Sequence, residues 1–424
     1  MPVATHTTLK NVVCPFCSLL CDDLTVTLKH DRLKVEQGDC PLARRGIGYT
    51  GSALSPHIDG RPAPYEDALA RAAQILKRAR QPLVDGMGTD VRGCQAALAL
   101  AERCGAAVDH MHSDAAMSNT FVLQSRGWMQ TTLTEVRNRA DLIVFVGTDA
   151  LSANPRFYER CIWPRDALIQ SRLTNRRIIY IGNRLKTRSG VGPGRRKPQL
   201  VACGRHEIAE ILGALRALQR GRKLSPAGNL TRGRLVQLNE VAQCLRAARY
   251  GVMVWSAADL DPAHRELVIQ GICELVVALN ETTRFAGLAL GGADGGTSAA
   301  NVSAWQTGFP GRVSFNRGSP DFDPELYRGR TMLHSGMADA LLWISSFETD
   351  AKPPATRVPT VVLARPSQRV ARSAGVYIPV GAPGVDHGGS LFRMDGIVSL
   401  PLRGLRTPLA PSVHEVLTQL RERL

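Results

Sequence analysis

From Pro82 onward, short apolar runs of strand length alternate with longer segments whose apolar residues recur at helical spacing. "PLVDGMG" precedes "GCQAALALAERCG", which precedes "AAVDHM". "ADLIVFVGTDA" and "RRIIYIGNR" are further strand-length runs, and "HEIAEILGALRALQR" is amphipathic. The pattern resumes near Tyr250 with "YGVMVWSAADL", the helical "ELVIQGICELVVALNE", "TTRFAGLAL", and three more strands in "DALLWISSF", "TVVLARP" and "GVYIPVGAP". Strands that are apolar throughout and separated by helices pair in parallel with both faces covered. The fold class is therefore α/β on parallel sheets. A chain of 424 residues holds roughly two to three domains. The expected division is 1–57, a first α/β region at 58–234, and a second at 235–424 with a C-terminal extension. The linker expected between the two α/β regions is "RGRKLSPAGNLTRGR", rich in Gly, Pro and basic residues.

Residues 1–57 form a small cysteine-bearing β unit. "DDLTVTLKHDRLKVEQ" alternates apolar and polar residues about a "KHDR" turn, as a β-hairpin does. Cys14, Cys17 and Cys21 precede the hairpin and Cys40 follows it, in the spacing C-x2-C-x3-C-x18-C. Four thiolates from one tight loop and one returning strand suit an iron–sulfur cluster or its relic. A zinc site more often uses two C-x2-C pairs, and unligated thiols are the third reading. The other six cysteines are dispersed, as small buried apolar residues are.

The net charge is +16, from 53 Lys+Arg against 37 Asp+Glu. Most of it is scattered arginine, a solvated basic surface. One stretch, "RLTNRRIIYIGNRLKTRSGVGPGRRK" at 172–197, carries nine basic residues and no acidic one. No zinc-finger spacing, RNP motif or basic amphipathic helix accompanies it, which argues against nucleic acid and for an acidic small molecule or protein. No apolar run approaches the roughly 20 residues that span a bilayer. The first residues, "MPVATHTTLK", lack the apolar core of a signal peptide, so a cytoplasmic protein is expected.

A cysteine-rich N-terminal unit followed by α/β halves resembles the molybdopterin oxidoreductases. Four segments narrow the resemblance to the family of formylmethanofuran dehydrogenase B subunits: "CPFCSLLCDD", "LTEVRNRADLIVFVGTDALSANPRFYER" at 133–160, "SAWQTGFPGRVSFNRGSPDFDPE" at 303–325, and "VYIPVGAPGVDHGGSLFRMDGIVSLPLR" at 376–403. The resemblance covers the whole chain. It implies parallel-sheet α/β domains of molybdopterin-oxidoreductase type. It also implies a 4Fe–4S cluster, or its relic, at Cys14, Cys17, Cys21 and Cys40.

One departure bears on activity. In the archaeal enzymes a cysteine or selenocysteine followed by a histidine ligates the metal ahead of the "EVRNRAD" segment. The matching stretch, "DHMHSDAAMSNTFVLQSRGW" at 109–128, has no cysteine. His110, His112, Ser113 and Asp114 either substitute as ligands or line a degenerate pocket. The departure is similar to the bacterial branch of the family, in formyltransferase/hydrolase complexes of one-carbon metabolism, whose B subunit does no redox chemistry. That branch implies loss of the molybdenum or tungsten pterin. It also implies formyltransferase and hydrolase subunits as partners, and a polyglutamylated methanofuran-like carrier that the basic stretch would attract, with Arg176, Arg177 and Arg184 foremost. Were any pterin nucleotide retained, Gly292, Asp294, Gly295 and Gly296 of the run "GLALGGADGGTSAAN" are its candidate contacts. Trp305, Gln306 and Thr307 are either further contacts or core. Asp386 and His387 are adjacent in sequence and so point apart on an extended chain, which argues against a catalytic pair.

Overall fold

The computed structural model describes residues 7–50, 54–169, 173, 175–348 and 352–424. These form two compact units, one from 1–113 together with 292–424, the other from 114–291.

The first unit is built on a sheet of nine strands. Their order is Asp321–Phe322, Val313–Ser314, Ala107–Val108, Pro82–Gly88, Ala340–Ser345, Thr360–Ala364, Val376–Pro379, His57–Ile58 and Arg61–Pro62. The five from Ala107–Val108 to Val376–Pro379 run parallel, and the short edge strands are antiparallel. Successive side chains of a strand point to opposite faces. Accordingly Val84, Leu342, Ile344, Val361 and Leu363 join one core, with the helices Tyr65–Arg78, Val91–Cys104, Gly296–Thr307 and Val413–Glu422. Leu83, Leu341, Trp343, Val362 and Ala364 join the core on the other face, with Met332 and Val370. Both faces are covered, so these strands read as largely apolar runs, with Asp85 the charged exception.

The N-terminal part of this unit carries an antiparallel sheet of Thr7–Val12, Leu24–Lys29 and Arg32–Gln37. The expected hairpin is its second and third strands. Its turn residues His30 and Asp31 both have positive φ, 48° and 59°, matching the right-handed twist of a two-residue hairpin.

The second unit has five parallel strands in the order Gln199–Val201, Arg177–Ile181, Leu142–Val146, Gly251–Ser256, Phe285–Leu290. The helices Ile208–Gln219, Arg232–Ala247 and Arg265–Leu279 pack on it through Leu212, Leu238, Val241, Ile269 and Ile272.

The compact units do not follow the chain-order division expected from the sequence. Gly251–Ser256 does not open a new region, because it pairs with Leu142–Val146 in one sheet. The 220–234 run lies between two helices of the same unit and links no domains.

Arg176 also departs from expectation. It is 1% exposed. Its Nε donates to the Ala140 carbonyl at 2.7 Å, its Nη1 to those of Cys161 and Ile162, and its Nη2 to those of Val136 and Arg137 at 2.9 and 3.0 Å. It caps the C-terminal carbonyls of the helix Leu133–Arg139 from inside the fold, a favourable place for a cation. Burial pulls its guanidinium down to about 10. It is therefore unavailable to any carrier, and Arg172 lies outside the described residues. Arg176→Met should lower stability by about 3 kcal/mol or more, since buried carbonyls lose a charged partner. Arg177→Glu, at an exposed position, should change it by less than about 0.5 kcal/mol. Urea unfolding of the two variants checks the contrast.

Candidate functional site

All four cysteines of the N-terminal unit are buried: Cys14, Cys17, Cys21 and Cys40 are 4, 8, 6 and 9% exposed. The loop folds back on itself, with the Cys14 N–H donating to the Cys21 carbonyl and the Leu20 N–H to that of Cys17. Leu20 turns through a positive φ of 47°. Cys40 caps the helix Pro41–Ile47, and its Sγ accepts the Ala43 N–H at 3.4 Å. The loop meets this helix where the Phe16 ring lies on Gly46, and a Cβ there would sit 2.4 Å from the ring. Burial first, and then the neighbouring Cys17, pushes the Cys14 thiol well above its ordinary value, with Cys21 and Cys40 adding to the shift. All ten cysteines are outside disulfides. Among the described residues, no three His, Cys, Asp or Glu side chains are arranged to close around one metal ion.

In open parallel sheets ligands bind outside the strand C-termini, where the strand order reverses. In the first unit that point lies between Pro82–Gly88 and Ala340–Ser345. The register slips there between Trp343 and Ser345. Gly86, with φ 82°, passes so close to the Ile344 carbonyl that a Cβ would lie 2.5 Å from it. The glycine segment enters this crevice. Gly292, Asp294 and Gly295 all have positive φ. A Cβ on Gly295 would lie 2.4 Å from the Thr89 carbonyl, and one on Gly296 would lie 3.2 Å from the His110 ring.

His110 and His112 meet the same segment. The His112 backbone N–H donates to His110 Nδ1 at 3.0 Å. This leaves Nε2 of a neutral His110 to donate to the Asp294 carbonyl at 3.2 Å. His112 Nε2 lies 2.8 Å from Asp294 Oδ2. Ser113 Oγ accepts from Arg312 Nη2 at 3.1 Å, and Arg312 Nε lies 3.6 Å from Asp109 Oδ1. Asp109 Oδ2 accepts the Gly329 N–H at 2.8 Å, and Asp85 Oδ2 converges on the same glycine. Asp114 belongs to the other unit, where its carbonyl accepts from Arg265. The buried Asp85, Asp109 and Arg312 were not singled out from the sequence. The signal for the two aspartates was a charge within or just after an otherwise apolar strand, as in "PLVDGMG" and "AAVDHM".

The other expected residues lie elsewhere. Trp305, Gln306 and Thr307 end the helix that Gly296 begins, about 14 Å away at 1.5 Å per residue. Trp305 is 56% exposed and edges against Phe392. Gln306 is exposed, and Thr307 Oγ1 donates to the Ser303 carbonyl. Asp386 accepts from Arg406 Nε and the Ala382 N–H, while His387 Nδ1 lies 2.7 Å from the Gly388 carbonyl. Arg177, Arg184, Lys186, Arg188, Arg195, Arg196 and Lys197 of the basic stretch are exposed. No helix among the described residues is long and apolar enough to cross a membrane.

The fold and its cysteine unit define a mixed α/β protein, with a small N-terminal antiparallel sheet ahead of parallel ones. No family model matches the chain. It is 30% identical over 381 residues to the B subunit of the formyltransferase/hydrolase complex Fhc of Methylorubrum extorquens, across 88% of this chain and 98% of that one. It is 25% identical over 405 residues to the B subunit of the tungsten-containing formylmethanofuran dehydrogenase 2 of Methanocaldococcus jannaschii, across 92% of each. The crystal structure of the Methylorubrum extorquens formyltransferase/hydrolase complex (FhcABCD) with methylofuran contains a chain that superposes with TM-score 0.73 at 28% identity, over 87% of this chain and 98% of that one. The chain belongs to the family of B subunits that these formylmethanofuran dehydrogenases and the formyltransferase/hydrolase complex share.

Burial, with the neighbouring His112 adding to it, lowers His110 from 6.5 to about 4. Between those values the unfolded chain binds more protons than the folded one, so stability falls as pH drops through that window. His110→Gln should flatten this loss. Thermal midpoints of both proteins from pH 7 to 4.5 test it, and parallel curves would show that His110 does not titrate.

Proposed function

We propose that the chain is the B subunit of a formyl-transferring and hydrolysing assembly and does no redox chemistry of its own. The observation that carries this is the stretch 109–128. It lacks a thiolate, and His110, His112 and Ser113 are each engaged by their own chain. A molybdenum or tungsten pterin prefers a soft protein donor, and these residues do not fit that role. The strand reversal beside the glycine segment supports a molybdopterin-oxidoreductase type of architecture whose pterin crevice persists in outline. Gly292, Asp294, Gly295 and Gly296 would be the remnant of its nucleotide contacts, with Trp305, Gln306 and Thr307 at a separate position.

The cysteine loop fits a 4Fe–4S cluster better. Four buried thiols share one loop and one helix start, and a backbone N–H already points at one sulfur. A bound cluster would supply one-electron transfer. Here Cys14, Cys17, Cys21 and Cys40 would hold it, and the metal would offset the unfavourable ionisation of buried thiols.

Formyltransferase and hydrolase subunits are the partners this reading requires. The exposed basic stretch suits an acidic, glutamate-bearing carrier of the methanofuran class.

Elemental analysis of the purified assembly tests the first claim. Tungsten and molybdenum should be absent, and iron should reach about four per chain if the cluster is assembled. Stoichiometric tungsten or molybdenum, with dye reduction by formylmethanofuran, would sink the non-redox reading. Charge reversal at Arg184, Arg188 and Arg196 should weaken carrier retention at low salt, with the difference vanishing as salt rises and thermal stability unchanged. Unaltered retention would rule the basic stretch out.

A further inference from the structure

Three helices of the first unit, Tyr65–Arg78, Val91–Cys104 and Val413–Glu422, begin around one open cavity of about 1040 Å³. Residues 387–390 and 408–412 complete its walls, and the glycine segment takes no part in them. Its volume is near the upper end for small-molecule sites, roughly 300–1,000 Å³.

One buried carboxylate opens into this space. Asp90 lines the cavity and is 3% exposed. Its Oδ1 is engaged, accepting the Gly93 N–H at 3.1 Å and the Thr89 hydroxyl at 3.4 Å. Its Oδ2 accepts no hydrogen bond among the described residues, yet it is not sealed from water. This oxygen faces Gly389, another lining residue, where a Cβ would lie 2.5 Å from it. Glycine at 389 therefore keeps the carboxylate accessible.

The remaining lining sets the character of a ligand. Glu415 Oε2 accepts the Ser412 N–H at 2.7 Å and its hydroxyl at 2.8 Å, and Oε1 accepts nothing among the described residues. The Ser412 N–H foremost holds the Glu415 carboxyl below its ordinary value. Arg92 is exposed and pairs with neither carboxylate. Two carboxylates thus face one guanidinium, and the imidazoles of His387 and His414 add no negative charge. The helix starts do not reverse this balance, because Asp90 and Ser412 already cap two of them and Glu66 and Asp67 occupy the first turn of the third. A metal ion does not fit, since no three His, Cys, Asp or Glu side chains among the described residues close around one point. An ammonium does fit: it donates to a single free carboxylate oxygen in a charge-assisted hydrogen bond. Tyr65, Leu409 and Pro411 offer apolar surface beside it.

We propose that this cavity binds a small primary amine with an apolar body, its ammonium on Asp90 Oδ2 and its body along Tyr65, Leu409 and Pro411. The site is independent of the redox question and of the basic stretch.

The probe is benzylamine, protonated at neutral pH, and benzyl alcohol is its uncharged counterpart. Titration calorimetry on the intact assembly, at constant ionic strength, should show saturable binding of the amine and none of the alcohol. Asp90→Asn removes the charge but keeps a good helix cap, and should raise the dissociation constant about tenfold. Gly389→Ala brings a methyl group against Oδ2 and should weaken binding at least as much. Should the alanine variant fail to assemble, the asparagine variant carries the comparison. Wild type that does not bind benzylamine, or binds the alcohol equally well, overturns the site. So does Asp90→Asn with wild-type affinity.

Discussion

The parallel pairing of Pro82–Gly88 with Ala340–Ser345 is the contact on which the functional region depends. It joins the part of the first unit made before the second unit to the part made after it. It also sets the reversal of strand order. The crevice there holds the glycine segment, and the buried charges Asp85 and Asp109 lie on or just after its neighbouring strands. The register slips past Gly86, and the ladder resumes at Gly88 and Ser345. Without this pairing none of these residues would be neighbours.

Much of the local structure was legible because the parallel strands are buried on both faces and the helices on one. The hairpin was legible from its turn, since "KHDR" sits between alternating strands. The strand Thr7–Val12 was not. It is largely exposed, so "TTLKNV" carries no burial pattern. The division into units was hidden for a different reason. Periodicity reveals that Gly251–Ser256 is a strand, but not that its partner is Leu142–Val146. Arg176 misled in the same manner. Within a basic run it reads as surface, and only tertiary structure shows five carbonyls converging on it.

The cysteine loop was found by spacing, but its support was not. Leu20 packs with Phe347, Leu391 and Leu402 in a small apolar cluster, joined by Val13 and Phe16. The loop thus has packing of its own, independent of anything the sulfurs hold. That packing would keep the loop's shape with or without a bound cluster. The thiols sit inside a packed region, and larger or polar replacements would disturb Phe16 and Gly46.

The interleaving of the two units has a consequence for how the chain emerges from the ribosome. Residues 114–291 are all made before Ala340–Ser345 exists. The second unit can complete its five-stranded sheet while the first still lacks the middle of its own. Domains generally fold as units in order of synthesis. Here that order is inverted: the earliest residues, the cysteine-bearing ones among them, must wait for nearly the last. During that interval Pro82–Gly88, an apolar strand without its central neighbour, stands as an open edge that a chaperone would be expected to cover.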